Sequence, residues 1–340
     1  MKKIVITGIG GYIGSVAASL FLDEGYTVIG IDNFMRGNHG PLEYLHKKHG
    51  DKLTFHECDI RDTEAMTNIL KVAHEESPVD VVLHYAALCN VGESEKQPEL
   101  YFSNNVQGVL SLLEAMRAVD LKKLVFSSTC AIYGEPERDV LDETHPIHPT
   151  SHPYGESKYM CERVIDWHHK IHGFQYIFLR YFNVCGATDD GEIGDSKKPS
   201  YHLMQNAVRG ALGLDEFFLN FTPVETPDGS PIRDYVNVVD LNKAHIKAVE
   251  HILATEESDI FNLGTGTGYS VLEIVNKVQE VTGKTFDVKE SERRKGDVNK
   301  AVASNEKITR VLGWKPEHSL EDSVRSLVTW YGKHPKGWES

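Results

Sequence analysis

Three side chains able to move protons fall within about thirty residues: Thr129, Tyr154 and Lys158. The run Lys123-Leu124-Val125-Phe126-Ser127-Ser128-Thr129 is apolar and ends in three hydroxyls, as a buried strand emptying into a site would. From Tyr154 the pattern turns helical through Tyr159, Met160, Val164 and Ile165, so Tyr154 and Lys158, four apart, share a helix face. A free phenol titrates near ~10, whereas a general base near neutral pH works best near ~7. The gap is roughly 4 kcal/mol of preference for the phenolate. An ammonium at Lys158 supplies part of it, and a cationic ring beside the phenol would supply more. Thr129 can hydrogen-bond the oxygen that loses its proton. Tyr-x-x-x-Lys also arises by chance on helices, so the elements around the trio must decide.

Those elements read as strands and helices in alternation. Ile4-Val5-Ile6 is a short buried strand, followed by Gly8-Ile9-Gly10-Gly11-Tyr12-Ile13-Gly14 and a helix through Val16 to Leu22. Gly8, Gly11 and Gly14 in that setting permit a tight turn and close approach of the backbone to a diphosphate at the helix start. The strand Thr27 to Ile31 ends at Asp32, about twenty residues past the loop. An acid there binds an adenosine ribose 2′-hydroxyl and repels a 2′-phosphate, favouring NAD over NADP, with Arg36 nearby as the counter-argument. Further strands are expected at 53–55, 79–84, 123–126 and 176–179, with helices at 64–73 and 98–119. The expected fold is α/β, a doubly wound parallel sheet with ligand across its carboxyl edge. Asp59, Ala86 and Thr129 fall just past strand ends.

After about Asn183 the pattern changes. Residues 189–199 read as polar loop, 202–214 as a helix, 217–221 as a short strand and 236–239 as another. Asp240 is a plausible N-cap for a helix to Leu253. A strand at 259–263 and helices from about Val271, Asn305 and Leu320 complete a smaller C-terminal α/β lobe. The expected division is 1–183 and 184–340, with 234–263 a candidate to return to the main sheet.

Composition narrows the function classes. Of 340 residues, 25% are charged, and the net charge of −14 disfavours a nucleic-acid surface. Cys58, Cys89, Cys130, Cys161 and Cys185 are scattered, without Cys-x-x-Cys spacing, which suggests reduced thiols in a cytoplasmic protein. The N-terminal Lys2-Lys3 and apolar triplet are interrupted by glycines too soon for a signal peptide, and no apolar run is long enough to span a bilayer. His145, His148 and His152, or His168 and His172, could suggest metal, but no cysteine or carboxylate completes a set, so none is expected.

The chain resembles the extended short-chain dehydrogenase/reductases, and within them the UDP-glucose 4-epimerases, over nearly its whole length. The resemblance rests on the glycine segment 7–14, Asp32-Asn33, Gly92-Glu93-Ser94, Phe126 to Gly134, Tyr154 to Lys158, Arg180-Tyr181-Phe182-Asn183, Arg233-Asp234-Tyr235 and Arg293-Arg294-Lys295-Gly296-Asp297. It implies a Rossmann domain with a UDP-sugar lobe. It implies that Thr129, Tyr154 and Lys158 are catalytic. NAD would be lined by Tyr12, Ile13, Asp32, Asn33, Asp59, Ile60, Ala86, Asn104 and Phe182, together with Tyr154 and Lys158. A UDP-sugar would be held by Asn183, His202, Leu203, Arg233, Arg294 and Asp297. It also implies a homodimer through helices equivalent to 100–118 and 154–171.

Three departures from the family stand out. Cys89 replaces a common lysine near the cofactor, removing one charge. His202 stands where asparagine is common. Ala301 stands where a bulky tyrosine occurs in members restricted to simple hexoses, so a larger sugar pocket is expected. The implied activity is 4-epimerisation of UDP-glucose and UDP-galactose through a transient 4-keto sugar. The N-acetylhexosamine and xylose/arabinose pairs stand behind it. Rivals are a net nucleotide-sugar reductase and a nucleotide sensor with a dead site. A dehydratase would need acids immediately after Thr129, where Cys130-Ala131 stand.

Overall fold

The structure, a computed structural model, describes residues 2–219, 221, 223–290 and 298–338. Its strands are β1 Lys3–Thr7, β2 Thr27–Asp32, β3 Leu53–Glu57, β4 Val81–His84, β5 Lys123–Thr129, β6 Val140–Leu141, β7 Gln175–Tyr181, β8 Asn183–Cys185, β9 Phe217–Leu219, β10 Ile232–Asn237, β11 Asp259–Leu263, β12 Gly268–Ser270, β13 Val288–Glu290 and β14 Lys300–Ala303. Its helices are α1 Tyr12–Asp23, α2 Gly40–His49, α3 Thr63–Glu76, α4 Val91–Lys96, α5 Pro98–Tyr101, α6 Gly108–Ala118, α7 Pro153–His172, α8 Leu203–Ala211, α9 Val238–Thr255, α10 Val271–Thr282, α11 Glu306–Leu312 and α12 Leu320–Lys333.

Seven parallel strands form the main sheet in the order β11-β7-β5-β4-β1-β2-β3. β1 and β4 are buried along their whole length, as strands covered by helices on both faces must be. One apolar cluster packs α1 and α9 against one face, and a second packs α3, α6 and α7 against the other. The chain builds outward from β1 to one side, then returns through β4 to the other. That reversal opens a crevice beyond Thr7 and His84 at the carboxyl edge.

The smaller lobe is built on β12-β10-β14-β6, with β8 also paired to β10. The apolar faces of α8, α10 and α12 close its core around Trp330. β11 lies in the main sheet beside β7, whereas β10 belongs to the second sheet. No described helix is long and apolar enough to cross a membrane.

Two local expectations are corrected. The helix after β10 starts at Val238, and its cap is Asn237, whose side chain accepts from the Val239 N–H at 2.8 Å. Asp240 sits in the first turn, where its carboxylate accepts from the Glu317 and His318 N–H groups and from His318 Nδ1. The helix expected over 98–119 is interrupted by a π-helical turn, Phe102–Gln107. The wider turn brings the Asn105 side chain to Leu88 and Ser157, with its Nδ2 donating to both at 3.0 Å.

Candidate active site

A cavity of about 1060 Å³ runs from the glycine loop, along the carboxyl ends of β1, β2, β4 and β5, into the second lobe. Thr129, Tyr154 and Lys158 all line it. Thr129 ends β5, and its hydroxyl accepts from the Ala131 N–H at 3.2 Å. Tyr154 and Lys158 lie in the first two turns of α7. That helix starts where its sequence says it should: Pro153 occupies the first turn and the His152 ring accepts from the Gly155 N–H at 3.0 Å. The same imidazole stacks beside the Tyr154 ring, with Tyr101 edge-on nearby.

A buried polar network fixes β5 against α7. Arg180 of β7 donates Nε and Nη2 to the two Glu162 carboxylate oxygens at 3.0 and 2.7 Å. Ser128, adjacent to Thr129, donates to Glu162 at 2.5 Å, and Arg180 Nη1 donates to the Tyr133 hydroxyl at 3.0 Å. Tyr133 in turn donates to Asn262 of β11 at 2.7 Å. With the charges paired and every guanidinium nitrogen and carboxylate oxygen making at least one hydrogen bond, the network holds strand end and helix in one arrangement.

Electrostatics at the trio depart from expectation. Burial raises the Tyr154 phenol well above its ordinary value, Cys89 adds to the rise, and a hydrogen bond with Thr129 works against it. Burial lowers Lys158 to about 8, and its ammonium lies 4.2 Å from the centre of the Phe126 ring. Burial thus outweighs the contacts that lower the phenol, and a positive charge placed beside the ring would act in the opposite direction.

The dinucleotide side fits its expected occupant. Gly8 has φ +75°, and a Cβ there would lie 2.6 Å from the Ala86 nitrogen; a Cβ on Gly14 would lie 2.2 Å from the Gly8 oxygen. The loop therefore presses close to β4 and to itself, leaving room above it for a bulky anion. α1 begins at Tyr12 with no side-chain cap and no acid in its first turn, as an anion seat requires. Asp32 is 8% exposed and accepts from the Gly10 and Phe34 N–H groups at 2.9 and 2.8 Å. Arg36 donates to the Glu93 carboxylate at 2.6 Å.

Gly8, Gly11, Tyr12, Ile13, Gly14, Asp32, Asn33, Ile60, Ala86, Asn104 and Phe182 line the cavity, as do Asn183, His202, Leu203 and Arg233 toward the second lobe. Asp59 and Ala301 do not. The Asp59 carboxylate is gripped by Arg61 and by Asn33 Nδ2, which hold it well below the usual carboxylate range. Ala301 is buried in a small cluster with Ile132, Tyr133, Leu141 and Phe182. Arg294 and Asp297 lie outside the described residues. Sequence reading missed Lys197, which lines the cavity from the polar loop before α8, where no periodicity marks it.

A glycine loop, an acid at the end of β2 and a Thr-Tyr-Lys trio on one doubly wound sheet define an enzyme of the extended short-chain dehydrogenase/reductase class. Residues 5–327 match the family described as GDP-mannose 4,6 dehydratase. A UDP-glucose 4-epimerase of Lactobacillus helveticus is 42% identical over 340 residues, 99% of each chain. The crystal structure of UDP-glucose 4-epimerase from Bifidobacterium longum, in complex with NAD+ and UDP, matches with a TM-score of 0.93 at 34% identity, covering 99% of this chain and 100% of that one. That of the enzyme from Stenotrophomonas maltophila, with NAD and formylated UDP-arabinopyranose, matches at 0.92 and 32%, covering 99% of each. The chain belongs to the UDP-glucose 4-epimerase family of that class.

Proposed function

We propose that this chain is an NAD-dependent 4-epimerase of UDP-sugars, with UDP-glucose and UDP-galactose its first pair. The observation that carries the reading is one cavity shared by the glycine loop, Asp32 and the Thr129-Tyr154-Lys158 trio. Bound NAD supplies a hydride acceptor that can return what it takes. The glycine loop, Asp32, Asn33, Ile60, Ala86, Asn104 and Phe182 hold it, and Asn183, His202, Leu203 and Arg233, with Arg294 and Asp297, hold the UDP-sugar. Residues 1–183 with the returning α9 and strand 259–263 mainly serve the cofactor, and most of the remainder of 184–340, joined by β6, serves the UDP-sugar.

Tyr154 takes the proton of the sugar 4-hydroxyl, and Thr129 hydrogen-bonds the same oxygen. Lys158, mostly ammonium at neutral pH with its pKa near about 8, stabilises the phenolate. When the 4-keto sugar has turned, the tyrosine returns the proton to the oxygen while C4 regains hydrogen on its other face. Everything removed from the sugar goes back, so the product is an isomer. Elimination, the reaction in the family's name, needs an acid beside Thr129; Cys130 and Ala131 stand there, and burial pushes the Cys130 thiol up to about 12.

The exposed apolar side chains Leu110, Met160, Trp167 and Ile171 on α6 and α7 support a homodimer through those helices. Five free thiols support a cytoplasmic setting.

The test is purified protein, without added cofactor, given UDP-galactose, UDP-N-acetylgalactosamine and UDP-arabinose separately, with C4 inversion followed by proton NMR. Inversion of UDP-galactose is expected. No inversion of any of them, even with NAD+ added, overturns the reading.

A further inference from the structure

The loop between β8 and α8 carries Asp195 and Lys197 to the glycine loop. Asp195 is fully buried; its carbonyl accepts from Trp330 Nε1 and the Tyr331 hydroxyl of α12 at 3.2 and 3.1 Å. Its carboxylate accepts from the Lys197 N–H at 3.2 Å and from the Ser200 hydroxyl, and the Lys197 ammonium lies 3.6 Å from it. The pair is asymmetric. The carboxylate side chain is 0% exposed and set back from the main cavity, whereas the lysine side chain is 21% exposed and lines it. Asp195 thus anchors the ammonium from behind.

Lys197 also borders a second, narrower cleft, which it shares with Gly10, Gly11, Tyr12 and Arg36. Arg36 and Asp195 line that cleft as well, so Lys197 stands beside the uncapped start of α1 together with its own carboxylate partner and a second cation. Of the other cavity cations, Arg36 is held by Glu93, Lys158 lies against Phe126, Arg233 donates to the carbonyls of Ile232 and Val298, and Lys198 follows Lys197 in the same loop. Cys89, a free thiol, lines the same cavity and offers no cationic group there.

We propose that Lys197 is the diphosphate-binding cation of the cofactor site, reaching across from the sugar-side loop to supply the charge that Cys89 does not. The proposal rests on the NAD reading above. Both NAD and a UDP-sugar carry a diphosphate; the position beside Gly10, Gly11 and Tyr12 commits Lys197 to the dinucleotide. Because His202 is the N-cap residue of α8 and Leu203 opens it directly after this loop, cofactor grip and sugar-side geometry share one segment of chain.

The experiment titrates nucleotide-stripped protein with NAD+ and, separately, with UDP by calorimetry. In Lys197→Met the NAD+ Kd is expected to rise about tenfold, as for loss of one charge-assisted hydrogen bond, with the UDP Kd within about twofold. The double variant Cys89→Lys with Lys197→Met should regain most of the loss. An NAD+ Kd unchanged in Lys197→Met, equal weakening of NAD+ and UDP, or no regain in the double variant overturns the proposal. Because Lys197→Met leaves a buried carboxylate without its cation, Asp195→Asn with Lys197→Met is measured beside it. Persistence of the NAD+ defect there supports direct binding, and its disappearance reduces Lys197 to a prop for the loop. Wild-type protein that binds UDP but not NAD+ would instead refute the cofactor reading itself.

Discussion

The two sides of the cavity are built differently. On the dinucleotide side, seven parallel strands end at one edge, two glycines have no room for a Cβ, and backbone N–H groups fix the Asp32 carboxylate. On the sugar side, the strands are two to six residues long, and the lining comes from the start of β8 at Asn183, the loop residues Lys197 to Tyr201 and the start of α8 at His202 and Leu203. Rigid elements hold a group to one geometry, while loops tolerate several. The contrast matches what the proposed reaction asks: a cofactor that stays put and a sugar that must turn over between two half-reactions. The trio sits on the rigid side, tied down by the Glu162-Arg180 network, so proton transfer is tied to the cofactor rather than to the sugar.

The hardest blow to that contrast is Tyr154→Phe. Epimerisation should fall by about 10²–10⁴-fold, the range for loss of a general acid–base. NAD content of the purified protein, measured by absorbance after denaturation, should stay within about twofold of wild type. Loss of cofactor together with activity would mean that the trio and the dinucleotide seat are not separable.

Lys158 gives the next largest effect, on stability. Its folded pKa of about 8 lies below the unfolded value near ~10.4, so the unfolded chain binds more protons between those pH values. The cost of burying the ammonium is present in full below pH ~8 and fades as pH rises toward ~10.4. In cofactor-free protein, Lys158→Met should therefore be more stable than wild type below pH 8, by on the order of 3 kcal/mol before relaxation, with the gap closing by pH 10. Urea unfolding at pH 7, 8, 9 and 10 reads it. A gap that does not change with pH would place the low pKa in doubt.

Much of the rigid side was legible because buried parallel strands are continuous apolar runs and chemistry sits where they stop: Thr7, Asp32 and Thr129 all end strands. The helix of Tyr154 announced itself by Pro153 and by period. The sugar side was less readable. β8, β12 and β14 have three or four residues, too few to show alternation. The π turn at 102–107 left no mark, because one widened turn hardly disturbs the apolar spacing. Asp240 and Asn237 are both good acceptors three residues apart, and tertiary packing against His318 decided between them. Lys197 was invisible because a lysine pair, Lys197-Lys198, in a polar loop reads as solvated.

Asp32→Asn sharpens the contrast from the cofactor end. An amide oxygen can still accept one of the two backbone N–H bonds, but the negative charge is gone. The NAD+ Kd should rise about tenfold while the ratio of NADP+ to NAD+ affinity narrows. Calorimetry with both dinucleotides checks this, and an unchanged ratio would assign the discrimination to some group other than Asp32.

Ala301→Tyr probes the adaptable side, with the smallest expected effect on hexose substrates. Ala301 lies beside Arg233 in the β10–β14 pairing and is buried with Ile132, Tyr133 and Phe182. It does not line the cavity, so a phenol grown there must displace that cluster, and Phe182 is the member that faces the ligand space. Overpacking of this kind costs about 1–3 kcal/mol and narrows the neighbouring pocket. UDP-galactose turnover should change by less than about threefold, whereas any N-acetylhexosamine turnover should drop about tenfold, a steric discrimination within the reach of a single pocket contact. If both sugars lose equally, the added ring has disturbed Phe182 and with it the cofactor side, so the two sides are coupled through that residue. If neither loses, the sugar boundary lies elsewhere and the small residue at 301 does not set the sugar range.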